Sequence, residues 1–192
     1  MLTLSIELNS RSYGACPWDR AQIEGQIETI PSPTRILRAI LHGAFSNGIG
    51  EEGDTKILLK KLASELPIYY IPEGRYIPLQ KYRLEQTNTD SLYQTGKMLS
   101  EPYYLYPKQT LFLVAWLQLA LDNREIQLLK GCLQHCHYLG RSEHSATWSI
   151  LSKCLPHEFN CYPDNQGTES VQCVEPMAID SLYLSPGLRN AK

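Results

Sequence analysis

The sequence lacks any run of apolar residues long enough to cross a membrane. Its most apolar stretch, Leu111 to Ala120, includes Gln118 and is about half of the roughly 20 residues that a membrane-spanning helix needs. The segment Met1 to Leu8 also lacks the basic start, the apolar centre and the small-residue cleavage site of a secretory signal. We therefore expect a cytoplasmic protein that does not enter a membrane.

An excess of positive charge is also missing. The 192 residues include 18 lysines and arginines against 20 aspartates and glutamates, which gives a formal net charge of -2. This balance excludes nucleic-acid binding through overall charge, so any such site must be a local patch. Hydrophobic residues make up 43% of the chain, which is enough for one folded domain with its own core.

Recognisable catalytic motifs are absent as well. The chain has no Walker loop, no dinucleotide-binding glycine pattern and no metallohydrolase signature. Its six cysteines are expected to be reduced thiols, because no export signal accompanies them. A zinc site could be sought among Cys132, His135, Cys136, His137 and His144. The two cysteines share the apolar face of a predicted helix, however, and no second ligand pair stands at a finger-like spacing. We expect no metal and no cofactor.

Apolar periodicity predicts the central elements of the fold. Apolar and polar residues alternate over Leu2 to Leu8, which predicts a strand with one buried face. Leu111 to Leu117 is apolar on both faces and predicts a central strand covered on each side. Ser32 before Pro33 predicts the start of a helix, because serine caps free amides and proline suits the first turn. Asp122 with Glu125 forms a capping box that opens a second core helix.

The segment between these elements predicts an insertion. A further helix is predicted over Thr55 to Leu66. The segments 68–71 and 75–78 flank a turn at 72–74 and predict a short hairpin. Residues 80–100 are polar without a sustained period, which predicts either a mobile loop or a hairpin that orders on binding.

With a last strand around Trp148 to Leu151, this order of elements suits helices on one face of a mixed sheet. We predict an α+β fold of the ferredoxin-like or RNA-recognition-motif type. The predicted domain is 1–152, with an inserted helix and a projecting hairpin. Residues 153–192 are predicted to form an extended or partly disordered tail.

Three segments of this scaffold carry a family resemblance. They are Tyr13 to Arg20 (YGACPWDR), Ile30 to Ile40 (IPSPTRILRAI) and Tyr138 to Glu143 (YLGRSE). In this order and spacing they resemble the N-terminal half of the Cas-five proteins of type I-G (formerly I-U) CRISPR systems. The entry into the arginine-containing helix also resembles the Cas-five family at large. The similarity covers roughly residues 1 to 152.

The resemblance implies a repeat-associated RNA-binding fold with a projecting, thumb-like insertion, which we place at 72–105. It also implies a subunit of a type I effector complex (Cascade) in antiviral defence. Such a subunit binds and caps the 5′ handle of guide crRNA and contacts the neighbouring backbone subunit. Its implied partners are crRNA, the backbone and large subunits and, through the complex, target DNA. Type I-G relatives often carry a second, Cas-six type domain that cuts precursor RNA, whereas about forty residues follow the matched region here. We therefore expect a protein that is not itself an enzyme. A metal-independent endoribonuclease that processes precursor crRNA is the alternative.

The first predicted helix carries one group of candidate RNA contacts. Arg35, Arg38 and His42 share a face on which guanidinium groups could grip phosphates, and an ordinary solvated face is the alternative. Arg20, upstream of this helix, could add a phosphate contact.

A second group of candidates lies in the predicted thumb. Arg75, Tyr76, Lys81, Tyr82 and Arg83 interleave cations with aromatic rings, a combination that suits single-stranded RNA. The alternative is that the tyrosines are ordinary strand formers.

The glycine-containing segment before the last strand supplies the remaining candidates, Arg141 and His144. It could be a loop that meets RNA or a tight turn into the strand. For RNA cleavage, His42, His144, Tyr82 and Lys81 are conceivable parts, but nothing in their spacing singles them out.

Overall fold

The computed structural model describes residues 1–17, 25–50, 53–84, 96–108, 110–152 and 159–164, and for 82–84 and 96–99 it describes the backbone alone. The strands are β1 (Leu2–Leu8), β2 (Ser12–Tyr13), β3 (Ile68–Tyr70), β4 (Arg75–Ile77), β5 (Gln80–Leu84), β6 (Gly96–Ser100), β7 (Tyr103–Leu105), β8 (Leu111–Trp116) and β9 (Ala146–Leu151). The helices are α1 (Pro33–Ser46), α2 (Gly53–Ala63) and α3 (Asn123–Gln134). The described chain is therefore α+β.

The main sheet has the strand order β3-β8-β1-β9. Every neighbouring pair is antiparallel, so the expectation of a mixed sheet is wrong. Leu4 of β1 lies opposite Val114 of β8 and Ile150 of β9, which puts these three apolar residues on one face of the sheet. The predicted strands at 2–8 and 111–117 are confirmed, with β8 ending one residue early.

The three helices cover this apolar face. Their buried residues Ile36, Leu58 and Leu129 belong to the same core cluster as Leu4 and Val114. The predicted caps are confirmed. The Ser32 hydroxyl accepts from the backbone N–H of Arg35, and Asp122 and Glu125 make both hydrogen bonds of a capping box. The helix starts were predictable because a cap is a local interaction.

The opposite face of the main sheet is covered in part. Thr3 and Ser5 are buried there, whereas Ser149, whose hydroxyl lies 2.8 Å from that of Ser5, is exposed. A second apolar cluster forms on this face from Ile68, Leu113, Ala115 and Phe159. The segment 159–164 is fastened to β3, since the backbone N–H of Tyr69 donates to the carbonyl of Cys161 at 2.9 Å. The rest of the predicted tail lies outside the described residues.

The insertion builds a second, three-stranded sheet in the order β2-β7-β4 and a two-stranded hairpin of β5 and β6. The predicted hairpin of 68–71 with 75–78 is wrong, because β3 pairs with β8 and β4 pairs with β7. Of the two readings of 80–100, the β5–β6 pairing supports the hairpin, whose connection at 85–95 lies outside the described residues. The strands β4 to β7 all fall within 72–105, and α2 covers 53–63 rather than 55–66.

Candidate functional site

The main sheet offers no exposed aromatic platform to a ligand within the described residues. In RNA-recognition-motif domains, bases stack on exposed aromatic residues of the sheet. Here the face away from the helices carries Thr3 and Ser5, which are 2% and 6% exposed, and Phe159 is buried against it. The exposed side chains on this face are not aromatic: Glu7, Leu111, Thr147 and Ser149. A stacking surface in the described parts of the chain must therefore lie elsewhere.

Arg35 on α1 is engaged inside the protein. Its Nε donates to Oε2 of Glu28 at 2.7 Å, and its Nη2 donates to Oε1 of Glu28 at 2.8 Å and to the carbonyl of Cys16 at 3.0 Å. The Tyr13 hydroxyl donates to the same Glu28 carboxylate at 2.8 Å. Burial, followed by the charge of Glu28, raises the pKa of Tyr13 well above its usual range, so Tyr13 stays a neutral donor. A phosphate contact by Arg35 would require this network to open.

The other two candidates on α1 are half-buried. The His42 ring packs edge-on against Tyr138, with 5.5 Å between the ring centroids. Burial, together with the nearby His137, lowers the pKa of His42, which keeps the ring neutral at pH 7. Arg38 makes no ion pair within the described residues. It is the member of this face whose cation remains available.

The three-stranded sheet carries two exposed residues among the predicted contacts. Arg75 and Tyr76 lie on the edge strand β4, and Tyr76 is 47% exposed. The Tyr76 ring meets Tyr104 edge-on, with 5.9 Å between the ring centroids. Tyr104 contacts Tyr106, which packs on the core residue Phe112 at 5.1 Å. This row of rings, Tyr76–Tyr104–Tyr106–Phe112, runs from the surface to the core and is called the aromatic row below.

Lys81 ties the β5–β6 hairpin to the segment before β9. Its Nζ lies 2.7 Å from Oε2 of Glu101 and 3.7 Å from Oε1 of Glu143. Contact with the Glu101 carboxylate raises the pKa of Lys81, so the amine is fully charged at neutral pH. For Tyr82 and Arg83, which follow Lys81 in β5, only the backbone is described. The candidate Arg20 lies outside the described residues.

His144 supports the turn before β9 from the inside. It is 4% exposed, and its Nδ1 lies 2.8 Å from the Ser12 hydroxyl. Its Nε2 is buried, has no hydrogen-bond partner among the described residues and faces Gly14, where an added Cβ would lie 2.9 Å away. Burial lowers the pKa of His144 despite the nearby carboxylate of Glu143. Direct contact between this ring and RNA would need the turn to move.

Arg141 is the half-buried cation of the same turn. Its backbone N–H donates to the Gly14 carbonyl at 3.3 Å, and its carbonyl accepts from the backbone N–H of His144 at 3.0 Å. Gly140 has a φ of 83°, in the left-handed region that glycine tolerates. The segment is therefore a tight turn whose backbone is held against β2, with the Arg141 side chain at its surface.

One arginine that the sequence pattern did not single out lies beside Arg75. Arg11 and Arg75 line the same surface depression, which has a volume of about 430 Å³. Arg11 follows the first strand as the fourth residue of the turn Leu8-Asn9-Ser10-Arg11 and has a φ of 56°. The sequence signal that could have pointed to Arg11 is its place in a turn, at a position that favours glycine or asparagine.

The described residues hold no group of three or more histidines, cysteines, aspartates or glutamates that could bind a metal ion. Cys132 and Cys136 are buried in the core, where burial raises the pKa of Cys132 to about 11 and that of Cys136 to about 12. Both are therefore neutral thiols, and the Cys136 thiol donates to the carbonyl of Ala39 at 3.2 Å. They serve the packing of α3 on α1.

No family model matches the chain, and no curated protein matches its sequence. The resemblance to the Cas-five family therefore stays a prediction. Within the described residues, no helix is both long and apolar enough to cross a membrane.

Proposed function

We propose that this chain is an RNA-binding subunit with a ferredoxin-like fold that holds the 5′ handle of crRNA in a type I CRISPR effector complex. The connectivity supports the fold. The units β1–α1–β3 and β8–α3–β9 are two strand-helix-strand units, and their strands interleave in the order β3-β8-β1-β9. Such interleaving characterises the split βαβ, ferredoxin-like architecture. A scaffold of this kind hosts many functions, so the ligand has to be argued from the site.

The observation that carries the RNA proposal is an exposed aromatic ring next to a cation without an ion pair in the described residues of the three-stranded sheet. Tyr76 is 47% exposed and is held edge-on by Tyr104, while Arg75 makes no ion pair within the described residues. Proteins hold single-stranded nucleic acids by stacking the bases on aromatic rings and by neutralising the phosphates with cationic side chains. Successive residues of a strand point to opposite faces, so the RNA would pass over the edge of β4.

The cellular setting of this proposal derives from the resemblance alone. The proposed partners are crRNA, the backbone subunit next to it, the large subunit and, through the assembled complex, target DNA. A cytoplasmic location belongs to the same proposal. Because the described surface is not globally basic, the affinity for RNA would come from a few contacts and would fall with added salt.

The test is binding of a labelled single-stranded repeat RNA to the purified chain, measured by fluorescence anisotropy at several salt concentrations. Replacing Arg75 and Tyr76 together by alanine is expected to weaken binding by about 10-fold or more, because base stacking contributes about 1 to 3 kcal/mol per base. The slope of log affinity against log salt should fall by about 0.7 for the lost phosphate contact. Lys60→Ala, which removes one exposed charge from α2, is the matched control and should change little.

Equal affinities for the wild-type chain and the Arg75→Ala, Tyr76→Ala variant would contradict the proposal. Far-ultraviolet circular dichroism of both proteins shows whether the variant is folded, so lost binding cannot be confused with lost structure.

No observation within the described residues favours the alternative, a metal-independent endoribonuclease. The conceivable base His144 is buried behind Gly14, and Lys81 is bound to Glu101. Incubation of the chain with labelled repeat RNA in EDTA separates the two functions. A specific product that disappears in His144→Gln or Lys81→Ala would favour the enzyme.

A further inference from the structure

The surface depression beside β4 brings together two arginines that have no carboxylate partner. Arg11 and Arg75 line it with Gly74 and Tyr106, and neither guanidinium forms an ion pair within the described residues. Glu73 also lines the depression, so two positive charges stand against one negative charge. The local balance is positive although the formal net charge of the chain is -2.

The register of the three-stranded sheet brings these two arginines to the same end. Leu105 of the central strand β7 lies opposite Ser12 of β2 on one side and Arg75 of β4 on the other. Since neighbouring strands are about 4.8 Å apart, the backbones of Ser12 and Arg75 are about 10 Å apart. Arg11 directly precedes Ser12, so two long side chains reach the depression from opposite edges of the sheet.

Arg11 has an unusual backbone conformation, and a hydrogen bond holds its side chain in place. Its φ of 56° lies in the left-handed region, which residues with a Cβ adopt only at a loss of stability. The surroundings hold it there, because its N–H donates to the Leu8 carbonyl at 2.9 Å and its carbonyl accepts from the Tyr106 N–H at 2.8 Å. Its Nε donates to the Tyr106 carbonyl at 3.2 Å. An arginine held in a strained turn with its guanidinium anchored points to a role in binding.

We infer that this depression binds a phosphate group between the guanidinium groups of Arg11 and Arg75. The anchored Nε leaves Nη1 and Nη2 of Arg11 without a hydrogen bond in the described part of the chain, and this planar pair of donors matches two phosphate oxygens. A volume of about 430 Å³ is within the range of small-ligand sites and could accept one nucleotide. The inference rests on the proposed function only in assigning the phosphate to RNA.

The test compares Arg11→Gly, Glu73→Gln and Lys60→Ala in the full chain. The probes are inorganic phosphate and one repeat RNA carrying either a 5′-phosphate or a 5′-hydroxyl. Arg11→Gly is expected to lower affinity about 10-fold, while its midpoint of thermal unfolding stays equal or rises, because glycine removes the strained backbone. Glu73→Gln is expected to raise affinity about threefold by removing a repulsive charge. Lys60→Ala, remote on α2, should leave the affinity within about twofold.

The outcomes show whether an internal or a terminal phosphate of the RNA binds. They also distinguish failure of the phosphate site from failure of the proposed RNA binding. An equal loss for both RNAs in Arg11→Gly supports an internal phosphodiester, and a loss confined to the 5′-phosphorylated RNA supports a terminal phosphate. Binding of inorganic phosphate that depends on Arg11, with no RNA binding by the wild-type chain, supports the phosphate site and contradicts RNA binding. Unchanged affinity of Arg11→Gly for every probe overturns the site, even where Arg75→Ala with Tyr76→Ala weakens RNA binding.

Discussion

Among the ion pairs of the described residues, Arg35–Glu28 is the one whose removal should destabilise the protein most clearly. Arg35→Ala is expected to lower the free energy of unfolding far more than Arg38→Ala, although both arginines are half-buried on the same helix. Arg35 donates three hydrogen bonds, two of them to Glu28 and one to the carbonyl of Cys16, whereas Arg38 makes no ion pair within the described residues. The pair therefore fastens the segment before α1 to the helix itself.

The structure sets the size of the effect. Removing one partner of a fully buried ion pair costs about 3 to 5 kcal/mol, because the remaining charge has no counter-charge. The side chains of Arg35 and Glu28 are 26% and 10% exposed, and this exposure lets water screen part of the loss. We therefore expect about 3 kcal/mol for Arg35→Ala and about the same for Glu28→Ala. The double variant should lose about 4 kcal/mol rather than the sum, since the two residues form one network.

Urea unfolding of the wild type, Arg35→Ala, Glu28→Ala and the double variant measures these losses of unfolding free energy. Arg38→Ala is the control. The control should lose less than about 0.5 kcal/mol, as is usual for a side chain without specific partners. A loss for Arg35→Ala that equals the loss for Arg38→Ala, or additive losses for Arg35→Ala and Glu28→Ala, would refute the reasoning. RNA binding by the folded variants at low temperature then tests the phosphate role of either arginine separately from stability.

Two further predictions concern packing and pH. Gly43→Ala should destabilise the chain by about 2 kcal/mol or more in urea unfolding, because an added Cβ would overlap the Cys132 carbonyl oxygen where α1 and α3 touch. Gly53→Ala, where nothing lies within 4 Å of the added Cβ, should stay near the wild type. Burial lowers the pKa of His144 below its ordinary value of 6.5, so the unfolded chain takes up the proton first and stability falls as pH drops below about 6.5. In unfolding measured from pH 8 to 5, His144→Gln should reduce this slope, and an unchanged slope would rule out His144 as its source.

The elements that carry a periodic pattern and a local cap could be predicted from the sequence. The predictions of β1, α1, β8 and α3 are confirmed because each buries a stripe or face in the main core, while β8 buries its other face in the second cluster, and burial follows from the pattern itself. The predicted end of α2, at Leu66, lies three residues beyond its observed end at Ala63. Leu66 continues the apolar spacing, but it is 49% exposed and lies beyond the last helical turn.

Pairings between distant strands could not be predicted in the same way. The turn at 72–74 suggested that its two flanks pair with each other, as neighbouring strands often do. Instead Tyr69 is buried in the main sheet opposite Val114, while Arg75 pairs with Leu105 in another sheet. The paired residues lie 26 to 47 positions later in the sequence, and no local signal encodes a choice between such partners.

For the candidate site, the helical spacing correctly indicated that Arg35 lies on a partly exposed face. It could not indicate that Glu28, in an irregular segment seven residues earlier, would engage the guanidinium. The same limit applies to His144. A glycine-containing turn predicts exposure, but contact with Ser12 and Gly14 across the fold buries the ring.

The second face of the main sheet limits where a single strand could stack with useful affinity. Its exposed side chains within the described residues include no aromatic ring, so stacking surfaces there have to come from the three-stranded sheet. The aromatic row supplies such a surface. Tyr76 is connected through Tyr104 and Tyr106 to Phe112, so its ring is held in place before a base arrives. A preordered ring loses little conformational entropy on binding, and more of the stacking energy remains as affinity.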